Sequence, residues 1–151
     1  MPFSNKTTMT DKAWIYVDKA LTIIGVLAFV ALVVFSYLKN PVLCYKVTGV
    51  CVVSFVIVTI IRKVINRPRP KKDGALYDKK EGEAFPSRHT FSMAIIALMW
   101  IYVNIPVGLI LFVLAIFVGY VRVKIGAHSS GDVAGAIFLA IIFEKASMIF
   151  F

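Results

Sequence analysis

Both histidines of this chain, His89 and His128, lie in short polar clusters at the ends of long apolar runs. The first cluster is Arg62-Lys63-Val64-Ile65-Asn66-Arg67-Pro68-Arg69-Pro70, and the second is Pro86-Ser87-Arg88-His89-Thr90. The third comprises Arg122, His128 and Asp132. Several arginines and one serine can surround a tetrahedral phosphate, each guanidinium giving forked hydrogen bonds to its oxygens. Ser87, Arg88 and His89 open an apolar run, where the free N–H groups of a helix start favour an anion. His128 and Asp132 are four residues apart and share a face if they sit on a helix or helix start. A carboxylate accepting from one imidazole nitrogen fixes the tautomer and leaves the other nitrogen free to attack. His89 then remains as a general acid for the leaving group. These residues, spread over helix ends, fall short of a metal-ligand set, so neither metal nor cofactor is expected.

The elements that must carry these clusters are membrane helices. Of 151 residues, 60% are hydrophobic and 17% charged, with a mean hydropathy of +0.85. A soluble domain averages about 45–50% apolar and about 25% charged. So short a chain cannot bury that much apolar side chain in one water-soluble core. Disorder is excluded by the same composition. A disulfide scaffold is excluded by the presence of only two cysteines, Cys44 and Cys51, which read as small core residues. The balance of 17 basic to 8 acidic residues, net +9, fits a membrane surface or a phosphorylated substrate. No zinc-finger spacing, helix-turn-helix or RNA-binding aromatic motif supports a nucleic-acid partner.

No charged residue occurs in the 19 residues from Ala20 to Leu38, about the length that crosses a hydrocarbon core of about 30 Å. Asn40-Pro41 breaks that run. A second extends to Ile61, with Lys46 near its start able to snorkel. The 33 residues from His89 to Val121 contain no Lys, Arg, Asp or Glu. Asn104-Ile105-Pro106 is a turn signal that divides them into two spans. A last span runs from Ser130 to Phe151 and contains Asp132, Glu144 and Lys145. An acid at the depth of Asp132 is costly and normally paired. The expectation is one all-α, polytopic membrane domain over residues 1–151 with about five transmembrane helices. Residues 1–18 are polar, with an amphipathic patch over Ala13–Val17 that reads as an interfacial anchor or as a helical extension of the first span. No small-residue cleavage pattern follows Tyr37, which argues against a signal peptide. Residues 62–88 carry nine basic and four acidic side chains and form the loop of the catalytic face. With five spans, all three clusters fall on one side of the membrane.

The three clusters resemble the signature of the type 2 phosphatidic acid phosphatases, which share a helical core with the vanadium haloperoxidases. The family pattern is Lys-X6-Arg-Pro, then Pro-Ser-Gly-His, then Ser-Arg-X5-His-X3-Asp. Arg69-Pro70, Pro86-Ser87, His89, Arg122, His128 and Asp132 match it in identity and spacing, over residues of about 55 to 140. Three positions depart from it. Arg62 stands where the family has Lys, and its neighbour Lys63 points about 100° away around a helix, so the register favours Arg62. Arg88 replaces the usual Gly and brings a bulky cation to the pocket mouth. Val121 replaces the Ser before Arg122. The family core usually has six helices, so either the stretch near Trp14 supplies the sixth or this is a minimal version of the fold.

The resemblance implies a metal-independent, integral-membrane phosphatase acting on a lipid phosphomonoester or pyrophosphate, of phosphatidylglycerophosphate or phosphatidate type, with undecaprenyl pyrophosphate as the alternative. It implies His128 as nucleophile, Asp132 as its orienter and His89 as acid. Arg62, Arg69, Ser87, Arg88 and Arg122 are then the phosphate ligands. The expected partners are the lipid and the membrane, and nothing in the sequence bears on oligomeric state. A soluble haloperoxidase is opposed by the uncharged spans. A catalytically silent lipid-binding or transport component is opposed by the intact His128, Asp132 and His89 set. The positive-inside rule would place the clusters in the cytoplasm. The resemblance places them on the extracytoplasmic face of the cell membrane, and that orientation is expected here.

Overall fold

The computed structural model describes residues 9–70 and 81–150. The start of the 1–18 segment, the middle of the 62–88 loop (including Gly74) and Phe151 lie outside the described residues. Five helices follow one another: α1 (Met9–Lys39), α2 (Pro41–Ile65), α3 (Arg88–Val103), α4 (Ile105–Lys124) and α5 (Ser130–Ser147), the last continued by a 3-10 turn over Met148–Phe150. No strand occurs among the described residues. The architecture is the expected all-α polytopic bundle. The stretches Lys12–Lys39, Pro41–Ile65 and Ile105–Lys124 are each long and apolar enough to cross a membrane. α3 is apolar but shorter, at 16 residues. α5 has 18 residues and carries charge near both ends, at Asp132 and at Glu144-Lys145. Trp14 lies inside the continuous helix α1, so the amphipathic patch extends the first span and forms no separate helix. Its ring packs edge-on against Tyr120 of α4, with centroids 6.0 Å apart.

The turns at the far end of the bundle use one device twice. Asn40 Oδ1 accepts from the Val42 N–H at 2.8 Å, and Asn104 Oδ1 accepts from the Val107 N–H at 3.1 Å. Each asparagine caps a helix whose first turn holds a proline, where the missing N–H has no partner to lose.

α3 packs against all four other helices. Phe91, Ala94, Ile95, Ala97, Met99 and Trp100 are buried along it. A helix apolar on every side belongs in the middle of a bundle. The surrounding helices turn Ile23, Val30, Leu109, Ile110, Val113 and Phe138 outward. In water, so much contiguous apolar surface would be an interaction site; in a bilayer it is the lipid-facing wall. α1 is fastened to this core at two heights away from the clusters. Trp100 Nε1 donates to the Ala28 carbonyl at 2.9 Å, and the Lys39 ammonium donates to the Val103 carbonyl at the end of α3. Cys44 and Cys51 are free and buried. Glu144 is buried and paired: the Tyr102 hydroxyl donates to its Oε1 at 2.6 Å, and Lys145 Nζ lies 3.2 Å from its Oε2.

Gly108 marks the tightest approach of α4 to α3. A Cβ there would lie 2.7 Å from the Ile101 backbone nitrogen and 3.0 Å from the Ala97 carbonyl oxygen. Alanine is favoured over glycine in a helix by about 1 kcal/mol, but overpacking against backbone costs about 1–3 kcal/mol. Gly108→Ala is therefore expected to lower the thermal unfolding midpoint of the detergent-solubilised protein. A midpoint at or above that of the unaltered chain would show that the two helices separate freely.

Candidate active site

The three sequence clusters meet at one end of the bundle, where α2 and α4 finish and α3 and α5 begin. Arg62 lies in the last turn of α2, only 4% exposed, while Lys63 is exposed. The Arg62 guanidinium donates to the Pro86 carbonyl and lies 4.0 Å from Glu83 Oε2. Arg122 lies near the end of α4, 2% exposed, with its Nε 3.0 Å from Asp18 Oδ1 on α1. Arg69 enters from the loop after α2. Its Nη1 donates to the Ala127 carbonyl at 3.3 Å and its Nε to the Gly82 carbonyl at 3.4 Å.

The loop ends that carry these groups are tied together by backbone bonds. The Ala84 N–H donates to the Arg67 carbonyl at 2.9 Å, and the Ser87 N–H to the Asp132 carbonyl at 3.1 Å. After α4 the chain reverses through Gly126 at φ 76°, a conformation natural to glycine. That reversal carries His128 back to the site, with its N–H donating to the Arg122 carbonyl at 3.3 Å.

His128 Nδ1 lies 2.8 Å from the Ala84 carbonyl oxygen. A carbonyl only accepts, so Nδ1 carries the proton and the Nε2 lone pair is open. Asp132 Oδ2 lies farther off, 3.9 Å from Nδ1. This differs from the expected direct hydrogen bond, and the reason is local. Asp132 is the third residue of α5 and forms a capping box with Ser129. Its Oδ2 accepts from the Ser129 N–H at 2.8 Å, and Ser129 Oγ accepts from the Asp132 N–H at 3.2 Å. Its other oxygen, Oδ1, lies 3.3 Å from Arg67 Nη1. The carboxylate thus stays within ion-pair reach of the imidazole while serving the helix start.

Ser87 is fully buried before α3, and its hydroxyl lies 3.0 Å from that of Thr90. Arg88 is exposed, with its guanidinium 5.8 Å from the centre of the Phe55 ring on α2. His89, half-buried in the first turn of α3, lies close enough to Arg122, Arg88, His128 and Arg62 to feel their charges. Val121, in place of a serine, is wholly buried in the core. All eight residues singled out from the sequence are therefore brought to one end of the bundle. Among the described residues, no three His, Cys, Asp or Glu side chains come together as a metal ion would need.

Several contributors were not singled out from the sequence. Asp18 was one, and its only local signal is an acid at the edge of an uncharged run. Glu83 and Thr90 were others, as was the Ala84 carbonyl, which no side-chain pattern can announce. Electrostatically the site is cationic. Arg62, Arg67, Arg69, Arg88 and Arg122 face the carboxylates of Asp18, Glu83 and Asp132. Burial, with Arg69 and Arg122 adding to it and Asp132 opposing, pushes the His128 pKa down to about 4. The imidazole is therefore neutral, and nucleophilic, at physiological pH.

The PAP2 superfamily pattern matches this chain over residues 41–151. Among solved structures, the fold is similar to that of Aquifex aeolicus LpxE, with a TM-score of 0.71 at 23% identity, covering 89% of this chain and 86% of that one. It is also similar to a transmembrane PAP2 type phosphatidylglycerolphosphate phosphatase from Bacillus subtilis, with a TM-score of 0.55 at 20% identity, covering 95% of this chain and 87% of that one. No curated protein gives a significant sequence match. At these identities the two structures establish the fold.

The electrostatic arrangement predicts the titration of His128. Followed by NMR of histidine-labelled protein, its midpoint should lie near pH 4. Arg69→Gln removes a positive neighbour, which stabilises the imidazolium, so the midpoint should rise. An ordinary midpoint near 6.5, unmoved by Arg69→Gln, would contradict the arrangement.

Proposed function

The chain belongs to the PAP2 superfamily, and from that premise we propose that it is a membrane-embedded phosphatase that hydrolyses a phosphomonoester or pyrophosphate of a lipid. The observation that carries this reading is a neutral imidazole, oriented by the Ala84 carbonyl, beside buried and half-buried arginines at the end of an apolar bundle. The lipid as substrate class is supported by the apolar, membrane-length helices. The Bacillus subtilis relative in fold is itself a phosphatidylglycerolphosphate phosphatase.

In the proposed cycle, His128 Nε2 attacks phosphorus in line with the leaving oxygen and forms a phosphohistidine. Once the negative charge of the bound phosphate offsets the surrounding arginines, His89 carries a proton and gives it to the departing oxygen. Water then attacks the phosphohistidine, with His89 taking its proton, and inorganic phosphate leaves. Arg62, Arg69 and Arg122, with Ser87, bind the oxygens of the phosphate being transferred, and Arg88, the exposed member of the set, holds phosphate charge at the mouth of the site. Charge stabilisation is the main task in phosphoryl transfer. The Ala84 carbonyl holds the His128 tautomer, and the Asp132 carboxylate balances the charge the ring gains when phosphorylated. The cationic pocket supplies positive charge itself, so metal-independent turnover is proposed. An intact nucleophile and acid favour an enzyme over a silent lipid-binding protein.

His128→Ala should lower turnover by at least roughly 10³-fold, as loss of a covalent nucleophile does, while the protein still folds in detergent. Quenching the unaltered enzyme with radiolabelled substrate should trap an acid-labile, base-stable adduct. An adduct that persists in His128→Ala would remove His128 from the nucleophile's role.

The site is further proposed to face the extracytoplasmic side of the cell membrane. The support is the family resemblance: after the arginines demanded by a phosphate are discounted, Arg67, Lys71, Lys72, Lys79 and Lys80 remain, offset in part by Asp73, Asp78, Glu81 and Glu83, and the positive-inside rule weakens for a loop of such mixed charge. Glu81 is exposed in the loop at the site end. Glu81→Cys, in a background lacking Cys44 and Cys51, should react with a membrane-impermeant maleimide on intact cells. Protection until lysis would place the site in the cytoplasm.

A further inference from the structure

A second feature adjoins the cationic cluster. A groove of about 520 Å³ runs between α1, α2 and α3, lined almost wholly by apolar side chains such as Leu21, Gly25, Val52, Phe55 and Met93. Its volume lies within the usual range of small-molecule pockets, about 300–1,000 Å³. Two residues of the candidate site also line it, Arg88 and His89. The groove and the phosphate cluster are thus continuous through one helix start.

This continuity orients a substrate. A lipid's hydrocarbon chain belongs in the groove, and its terminal phosphate belongs against Arg62, Arg69, Arg122 and His128. The atoms joining the two must pass Arg88 and His89. Those two residues therefore face the leaving group. The role of His89 there is to donate a proton. Arg88 adds a permanent positive charge at the same place, and its guanidinium rests over Phe55, a groove residue, 5.8 Å from the ring centre. If the leaving group is an alcohol, the charge developing on its oxygen is met by the His89 proton, and the apolar chain beyond it offers Arg88 no anion. If it is a second phosphate, the cation faces an anion whose charge grows as the bond breaks. A cation placed where charge develops accelerates the reaction most.

On the phosphatase reading above, we propose that the substrate is a lipid diphosphate and that Arg88 is the residue selecting it, by binding the phosphate that stays on the lipid. His128 Nε2 bonds to the terminal phosphorus. The bond from that phosphorus to the bridging oxygen breaks, and its electron pair stays on the bridging oxygen, which takes the His89 proton. The lipid leaves as its monophosphate. Water hydrolyses the phosphohistidine, His89 recovers a proton, and inorganic phosphate departs.

The test compares matched pairs in detergent micelles: a polyprenyl diphosphate against the monophosphate of the same chain, and diacylglycerol pyrophosphate against phosphatidate. For the unaltered protein, kcat/KM for phosphate release should favour the diphosphate in each pair by at least about tenfold, the size of one charge-assisted contact. Arg88→Gln should reduce that ratio by about tenfold, and Arg88→Lys should restore part of it. A ratio at or below one, or a ratio unmoved by Arg88→Gln, overturns the assignment while leaving the phosphatase reading in place. If no phosphate is released from any of the four lipids, the phosphatase reading falls and this assignment falls with it.

Discussion

Guanidinium groups crowded at the end of an apolar bundle repel one another and lose hydration, and the surrounding fold is organised to offset both costs. The partners are of two kinds. Carboxylates cancel charge: Asp18 for Arg122, and Glu83 for Arg62. Backbone carbonyls of Pro86, Ala127 and Gly82 accept from Arg62 and Arg69. They satisfy donors without cancelling charge. The second kind is what keeps the site cationic. Hydrogen-bonding demand is met by neutral oxygens, and the positive potential remains for an anion. It also helps to keep His128 neutral: burial disfavours the imidazolium most, and the nearby arginines add to that.

Much of this was legible in the sequence, for reasons that differ from residue to residue. The helix breaks at Asn40-Pro41 and at Asn104-Ile105-Pro106 are local, so capping and proline chemistry announce them without reference to the rest of the chain. The register that favours Arg62 over Lys63 holds because helical periodicity runs unbroken to Ile65. The clusters themselves are recognisable because their spacing is fixed by the ends of helices that must come together. The pairing of Asp18 with Arg122 is different. It joins the first helix to the fourth, and no spacing rule connects residues so far apart. The central place of α3 is visible only as an unusually uniform apolar run, which the composition of a membrane protein makes easy to overlook.

His128 shows how a correct residue can have a different partner. Four-residue spacing to Asp132 brings the two groups near each other, but His128 sits before the α5 cap and Asp132 sits inside the helix. Ser129-X-X-Asp132 is itself a capping pattern, and the structure gives the carboxylate to that task. The imidazole proton goes instead to Ala84, on the loop between α2 and α3. The orientation of the His128 ring therefore depends on the loop closing correctly, through the Ala84 to Arg67 backbone bond, as well as on its own helix.

α1 lies outside the stretch matched to the family. It is nevertheless fastened at three levels: by Asp18 to Arg122 near the site, by Ala28 to Trp100 in the middle, and by Lys39 to Val103 at the far end. Between those fastenings it contributes Leu21, Gly25 and Phe29 to the groove wall. The division of labour is spatial. The three sequence clusters belong to the four later helices and their loops, and one wall of the apolar groove belongs to a separate strut. On the reading proposed above, exchanging side chains on that wall would change the length or bulk of chain admitted while leaving the residues of the three clusters in place. Chain preference and catalytic power would then be set from different helices, which meet at the Arg88-His89 helix start and where Asp18 pairs with Arg122.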